Sequence, residues 1–531
     1  MVEENVFWAE WTPWGPAFLT EEQGDIGKLG VDYSDNVDTR WERQAMLGPL
    51  LNVLDCGAAG GTAANTNGFA VAPTSMQANG PYLYAIRGTK WAKIKLESGT
   101  TALSLTSTGA ETALAEAATS ILYTRNAAGT EEISIGMRNT PYRVISAVGT
   151  GNTDTHAVNS APYGGTYATI IAKAASSSAY RDIAILGRNL STNTAENVVA
   201  MVTLAGTAKM ANTAAVVRAT IAGEPIKFTG FALDSDKWLI GTSNGPYYLD
   251  STFQEFRPLI EELDNDVRHC AQMGVWGALN SSVIIPLYRG VRVSKNLSGR
   301  SIGPGIFVEN GSPLQGNVSA FTSSERWGYF TIHNSVTDKT WICAARPSFE
   351  TDWHKYPISF FPIIKLPDGI ESDSSYWVGT QGGRTLPMVA VGYDDDVAWF
   401  DEGRTDRFID DTSYKYASSG TLYLTKMKRQ PEAYKDIMWF DIETAGCDSG
   451  NETVTLSVVV TDRYGNESTI QIGAPIASNG IHRLRVPIDS PINMARDIKP
   501  KIDFARGNTT TNSPKLVAKV RMAYTLKEMA L

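Results

Sequence analysis

Phe231-Ala-Leu-Asp-Ser-Asp-Lys-Trp-Leu-Ile-Gly-Thr-Ser-Asn-Gly-Pro-Tyr-Tyr-Leu-Asp250 reads as strand, turn, strand, turn, strand. The Asp234-Ser-Asp cluster supplies the first turn and Ser243-Asn-Gly-Pro the second, because Asp, Asn and Gly tolerate the backbone angles a tight hairpin demands. Looser versions follow at Trp276 to Val293, at Trp327 to Ala345, and at Tyr376 to Val391 with its close at Val397-Ala-Trp-Phe400. Each is an antiparallel meander with an aromatic near its start. The anchors Trp238, Trp276, Trp327 and Trp377 recur every roughly 40–50 residues, the period of a propeller blade.

Working outward, residues 60 to 230 are rich in Ala, Thr, Ser and Gly and hold further strand-length runs. These are Tyr82 to Ile86, Ala92 to Leu96, Ser120 to Tyr123, Glu132 to Met137, Tyr142 to Ala147, Ala168 to Ala172, Ile183 to Leu186 and Val198 to Leu204. One short helix is allowed over Glu111 to Ser120, where Ala dominates. The gap from Trp91 to Trp238 holds about three more units, so the count reaches roughly seven blades. Two β-sandwiches would need the same short strands, and the repeat spacing is what favours the ring.

The last segment changes character. Strands are expected at Gly420 to Thr425, Ile437 to Ile442, Val454 to Thr461, Ser468 to Ile472, His482 to Pro487, Asp497 to Phe504 and Lys515 to Leu526. Seven short alternating strands in this length suit a β-sandwich. Pro500 should restrict the sixth strand to an edge or a bulge. At the other end Trp8, Trp11 and Trp14 recur every third residue, interrupted by Pro13 and Pro16, which argues for an extended arm, either laid over its own domain or reaching a partner subunit. The expected organisation is therefore all-β: an N-terminal arm and linker (1–60), a propeller (61–417) and a β-sandwich (418–531).

Composition bounds the function. The 531 residues carry 47 basic and 56 acidic side chains, a formal charge of -9, which disfavours a protein whose task is to coat nucleic acid or an anionic membrane. Only 19% of residues are charged, against roughly 25% on average, so much surface is expected to be buried against other subunits. Cys56, Cys270, Cys343 and Cys447 stand far apart, as in a protein made in a reducing cytoplasm, and no two His lie within a helical turn. A Cys- or His-based metal site has little support. The acidic start Met-Val-Glu-Glu-Asn is followed by no apolar run of signal-peptide type.

No motif assigns chemistry. Asp394-Asp-Asp396, with Asp401 and Glu402 nearby, lacks the alternate spacing of a hard-cation loop and reads as a solvated connection. Ser335 to Trp341 is one degenerate copy of the Asp-box turn of sialidases. Gly241-Thr-Ser-Asn-Gly245 matches a nucleophile elbow as a string, but a returning strand follows where that motif needs a helix. His269 and Cys270 are adjacent, so on a strand they face opposite ways. Gly57-Ala-Ala-Gly-Gly-Thr-Ala63 lacks the lysine of a phosphate loop and reads as a linker. Lys426, Lys428, Arg429 and Lys435, with Lys499, Lys501 and Arg506, form either a docking face or a mixed solvated surface. No catalytic, cofactor-binding or metal-binding residue is assigned, and a non-enzyme is expected.

Trp238-Leu-Ile-Gly-Thr-Ser-Asn-Gly-Pro-Tyr-Tyr248, Ser301-Ile-Gly-Pro-Gly-Ile306 and the terminal β-domain together resemble β-propeller virion proteins of tailed bacteriophages. That resemblance spans residues 80 to 531. It implies a virion location after synthesis in the host cytoplasm, and a structural role as a nozzle, hub or fibre-attachment subunit. It also implies other tail proteins as partners and a symmetric homo-oligomer, with no cofactor. The alternative is a receptor- or glycan-binding propeller at the virion tip, and after it a glycoside-cleaving propeller.

Overall fold

The computed structural model describes residues 6–15, 29–41, 43–56, 66–72 and 82–105, then the strands named below with Leu114 and Ala117 up to residue 302. Beyond that it describes 314, 316–347, 358–380, 383–403, 413–427, 434–448, 450–462, 464–487, 490, 492 and 497–527. Every regular element among these is a β-strand.

The chain opens with β1 (Phe7–Trp11), β2 (Val31–Asp35), β3 (Val37–Asp38), β4 (Ala45–Leu47) and β5 (Asn52–Leu54). Antiparallel meanders follow. Sheet 1 is β6 (Thr66–Ala72), β7 (Tyr82–Arg87), β8 (Lys90–Leu96) and β9 (Leu103–Leu105). Sheet 2 is β10 (Ala118–Arg125), β11 (Glu131–Pro141), β12 (Arg143–Ser146) and β13 (His156–Val158), with β14 (Tyr167–Ala168) also on β11. Sheet 3 is β15 (Ile171–Lys173), β16 (Ile183–Gly187), β17 (Val198–Thr203) and β18 (Val216–Thr220). Sheet 4 is β19 (Ile226–Ala232), β20 (Lys237–Thr242), β21 (Gly245–Leu249) and β22 (Phe256–Pro258). Sheet 5 is β23 (Gly274–Trp276), β24 (Ser282–Leu287), β25 (Gly290–Lys295) and β26 (Ser298–Ile302). Sheet 6 is β27 (Asn317–Ser323), β28 (Gly328–Asn334), β29 (Lys339–Pro347) and β30 (Ile358–Lys365). Sheet 7 has β31 (Ser375–Val378), β32 (Met388–Tyr393) and β33 (Asp396–Asp401), and its fourth strand is β5.

Strands of sheets 1 and 6 are buried on both faces because each of these sheets lies between two others. In β7, Leu83 and Ala85 pack with Val378, Met388, Ala390 and Val397 of sheet 7. Tyr82, Tyr84 and Ile86 turn the other way, onto Ile133, Ile135 and Met137 of sheet 2. Sheet 6 repeats the arrangement: Phe330, Ile332 and Trp341 meet Ile284 and Val291 of sheet 5, while Tyr329, Ile342 and Phe361 meet Val389, Val391 and Phe400 of sheet 7. Such strands read as continuous apolar runs, not as alternation. The first sheet thus packs on the last.

The remaining strands are β34 (Ser419–Leu424), β35 (Tyr434–Ala445), β36 (Thr453–Thr461), β37 (Glu467–Gln471), β38 (Gly480–Arg485), β39 (Asp497–Ala505), β40 (Lys515–Leu516) and β41 (Val520–Lys527). They form two sheets with the start of the chain: β1-β41-β35-β40-β4-β3, with β38 on the other side of β35, and β2-β34-β39-β36-β37. One apolar cluster fills the space between, drawing Val37 and Met46 from the first residues and Leu422, Phe440, Leu456, Ile502 and Met522 from the last.

Four expectations meet the structure here. The extended Trp-rich segment is laid over its own chain: β1 pairs with β41 from Phe7↔Tyr524 to Trp11↔Val520, and Trp11 is fully buried, its Nε1–H donating to Thr425 O at 2.8 Å. The division at residue 60 fails, since β1 to β4 belong to the terminal body and β5 to sheet 7. Of the helix allowed over 111–120, residues 118–120 are strand, and 111–113 and 115–116 lie outside the described residues. Lastly, β39 is a central strand, and of the two places expected for Pro500, an edge or a bulge, it takes the second. Pro500 fits there because its missing N–H faces β34's side, where the ladder is interrupted between Tyr423↔Lys501 and the Met427↔Ile498 bridge.

Candidate interaction surface

The outer side of the sheet containing β1, β41, β35 and β38 follows from strand alternation. Ala9, Trp11, Phe440, Ile442, Val520 and Met522 point inward, so their neighbours point outward. Register then aligns two rows across four strands. One row is Trp8, Ala523, Trp439 and Arg485; the other is Glu10, Arg521, Asp441 and Arg483. Trp8 and Trp439 close over Ala523, which is wholly buried although it faces out, and their rings meet edge-on at 5.9 Å. Arg483 lies over Trp439, 4.8 Å from the ring, while its guanidinium donates twice to Asp441, at 2.8 and 2.9 Å. Trp8 remains 45% exposed, and Met438 and Ile481 of the same sheet are exposed too. Tryptophan with arginine is the composition of an interface centre, because both give large contact area at low ordering cost. Truncating Trp8 to Ala removes a half-exposed ring with its edge contact to Trp439 and its cover over Ala523 but opens no core cavity, so the expected change in unfolding free energy is about 1 kcal/mol or less, read by urea denaturation.

The acidic run takes a different role from a solvated loop. Asp394-Asp395 is the two-residue turn between β32 and β33, with Asp394 at φ 50°. It is tied to the start of sheet 1: Thr66 N–H donates to Asp394 O at 2.6 Å and Thr66 Oγ1 to Asp396 O at 3.0 Å. Arg87 donates to Asp395 O and to Cys56 O, and Cys56 N–H donates to Asp396 Oδ1 at 2.9 Å. Sheets 1 and 7 are stapled here.

Asp401 and Glu402, next along the chain, are buried and reach opposite neighbours. Arg384 donates to Asp401 Oδ1 at 3.3 Å and to the carbonyls of Thr101 and Ala102 in sheet 1's last connection, at 2.9 and 3.0 Å. Glu402 accepts from Ser324 Oγ (2.8 Å) and Tyr329 Oη (2.6 Å) at sheet 6, and from Trp377 Nε1 (2.7 Å) of its own sheet. Burial pushes the Asp401 carboxyl up to about 6, overriding the attraction of Arg384. A carboxyl raised on folding binds more protons in the native state between its two pKa values. Stability from this group is therefore fully present below about pH 4 and is lost as pH rises through 6, by roughly 3 kcal/mol over the whole span. Unfolding free energies from urea denaturation at pH 4.5 and 7 should differ by about 2 kcal/mol more in wild type than in Asp401→Asn.

Where the terminal body meets sheet 6, Arg40 is buried between the rings of Trp41 and Trp327, at 5.3 and 4.9 Å. It makes a bidentate pair with Asp38, whose closest contact is 2.8 Å. Ser34 Oγ donates to Pro362 O at 2.7 Å, and Trp341 Nε1 to Asp35 Oδ1 at 3.0 Å. Beside this joint a cleft of about 450 Å³ is lined by Asp35, Lys365, Thr421, Thr455 and Asp503 among others.

The other sequence candidates resolve plainly. Ser335 to Trp341 is the β28–β29 hairpin, its turn held by Asn334 Oδ1 accepting from the N–H groups of Val336 and Thr337. Gly241 and Gly245 flank the β20–β21 hairpin. His269, Cys270, Gly57 to Ala63, Lys428 and Arg429 lie outside the described residues. Lys426 pairs with Asp497 and Glu467, Lys499 with Asp32, and Lys501 with Asp503, while Arg506 donates to backbone carbonyls. These cations form a mixed surface whose charges are already engaged. Cys56, Cys343 and Cys447 are buried free thiols.

No family model matches the chain. No curated protein matches it either. Among solved structures it is similar to the β-propeller domain of Myceliophteria thermophila Cps50 (Swd1), at 9% identity and a TM-score of 0.39, covering 66% of this chain and 99% of that one. It is also similar to a chain of the Chaetomium thermophilum polycomb repressive complex 2, at 10% identity and a TM-score of 0.41, covering 67% and 98%.

Proposed function

We propose that the chain is a structural subunit of a tailed-phage virion, a nozzle, hub or fibre-attachment protein that works by protein–protein assembly. The seven sheets are the blades of a closed propeller, latched by β5 on β33, and the two terminal sheets are a β-sandwich built from both chain ends. The subunit acts in a symmetric ring of identical copies joined to other tail proteins.

The observation that carries this reading is the outward face of Trp8, Trp439 and Arg483, an aromatic–arginine centre with a charged row at its rim. Rigid presentation matters as much as composition. The face spans β1, β41, β35 and β38 of a sheet whose inner side is fixed by the terminal core, so little ordering cost remains at docking. Supporting it are the low charged fraction and the turn pattern of Gly241 to Tyr247.

Expected results follow for Trp8→Ala with Arg483→Ala. Assembly of the purified protein, or its capture of tail partners, should weaken about 30-fold or more while melting is unchanged. Equal assembly by the double variant and wild type would remove this face from the interface. The second reading, a glycan-binding role at the virion tip, draws on the same exposed indole of Trp8. Under it the double variant assembles normally but loses retention on a host-glycan array.

A further inference from the structure

The tip of the β28–β29 hairpin lies beside the segment that follows β30, and there His333, Asp338 and Glu371 converge. One potential ligand atom of each lies within 4.8 Å of the other two. The hydrogen bonds around His333 decide what the imidazole can offer. Thr340 Oγ1 donates its single proton to Ile370 O at 2.6 Å. Its oxygen, 3.1 Å from His333 Nδ1, can then only accept, so Nδ1 carries a hydrogen. In the neutral ring that leaves Nε2 as a bare lone pair. It lies 3.5 Å from Glu371 Oε1, with a carboxylate oxygen of Asp338 within 4.8 Å.

A lone pair set against two carboxylates is repulsive unless a positive species sits between them. A second proton on His333 is one such species, and a metal ion is the other. The spacing favours the metal. Two ligands on a tetrahedral ion with bonds of roughly 2.1 Å stand about 3.4 Å apart, whereas a direct N–H···O⁻ bond closes to about 2.8 Å. The Thr340 hydroxyl, fully buried, supplies the orienting partner that metal-bound histidines use on their second nitrogen.

We propose that His333, Asp338 and Glu371 bind a divalent transition ion of the zinc class, with water at the open position. The ion joins the hairpin tip to the segment leading into β31 and stiffens that rim of sheet 6. One imidazole with two carboxylates suits zinc better than calcium or magnesium, which take oxygen ligands.

The test uses untagged full-length protein, stripped with chelator and titrated with Zn²⁺ by calorimetry and with Co²⁺ by visible absorption. One equivalent should bind, with a tetrahedral Co²⁺ spectrum and a raised melting temperature. His333→Gln should abolish the spectrum, Glu371→Gln should weaken affinity at least 10-fold, and Thr340→Val should weaken it about 10- to 100-fold. Melting of each variant in chelator checks its fold. The exposed position of Glu371 keeps the test decisive if Thr340→Val does not fold. Absence of stoichiometric binding, or binding unchanged in both His333→Gln and Glu371→Gln, overturns the proposal and leaves a protonated His333–Glu371 ion pair.

Discussion

Replacing Glu402 with alanine is expected to lower the unfolding free energy by about 4 kcal/mol, one of the two largest effects in the molecule. Three donors converge on this carboxylate: Ser324 Oγ, Tyr329 Oη and Trp377 Nε1. Alanine leaves them facing a cavity, at about 1–3 kcal/mol for each buried donor that finds no new acceptor. Water entering the cavity recovers part of the sum. Tyr329 is the most exposed to the change in chemistry, because it is buried and its hydroxyl stays protonated well above the usual range through burial first and Glu402 second. Glutamine keeps one acceptor but brings two donors to a site already full of donors, so its cost should fall between alanine and wild type. Urea unfolding followed by tryptophan fluorescence measures all three, and a Glu402→Ala midpoint equal to wild type would show that the carboxylate holds nothing together.

Removing residues 1–12 should cost about 5 kcal/mol, or prevent the terminal body from folding. A free arm could be cut away with loss of assembly alone. Here the deletion strips β1 from β41, exposes that strand's edge and empties the site of Trp11. Burial loss for a large aromatic is about 3–5 kcal/mol, and the indole N–H to Thr425 O adds to it. Trp11→Ala alone should show most of that loss, and Trp8→Ala almost none. The contrast arises because residues three apart on a strand face opposite sides. Limited proteolysis of the truncated protein should cut first within 419–527, the strands that share the core with β1.

The same pair of tryptophans shows what was legible in sequence and what was not. The individual strands were readable, since turn chemistry at Asp394, Asn334 and Gly245 and the apolar runs between are local signals. The period of the meanders was readable for the same reason. The partners of β1 to β5 were not, because Phe7 pairs with Tyr524 and Val53 with Ala398, and no local pattern encodes a contact across such separations. Proline and tryptophan spacing near the start therefore reads as an extended segment without showing which surface it covers. Pro500 reads as an edge or bulge residue, and the ladder is broken on the side where its N–H is missing, though sequence could not show that β39 is central. Glu402 looked like one more charge in an acidic loop because its donors come from two distant stretches, the β27–β28 hairpin and β31. The His333 cluster was hidden too, since Glu371 arrives from a different connection and Thr340 gives no sign in sequence of its orienting role.

Electron cryo-microscopy of the particle that contains this chain should show repeated copies about a symmetry axis, each with Trp8, Trp439 and Arg483 buried against a neighbouring subunit and with β5 closing sheet 7. A single isolated copy, or copies whose Trp8 face is bare to solvent while another surface makes every contact, would contradict the proposed assembly.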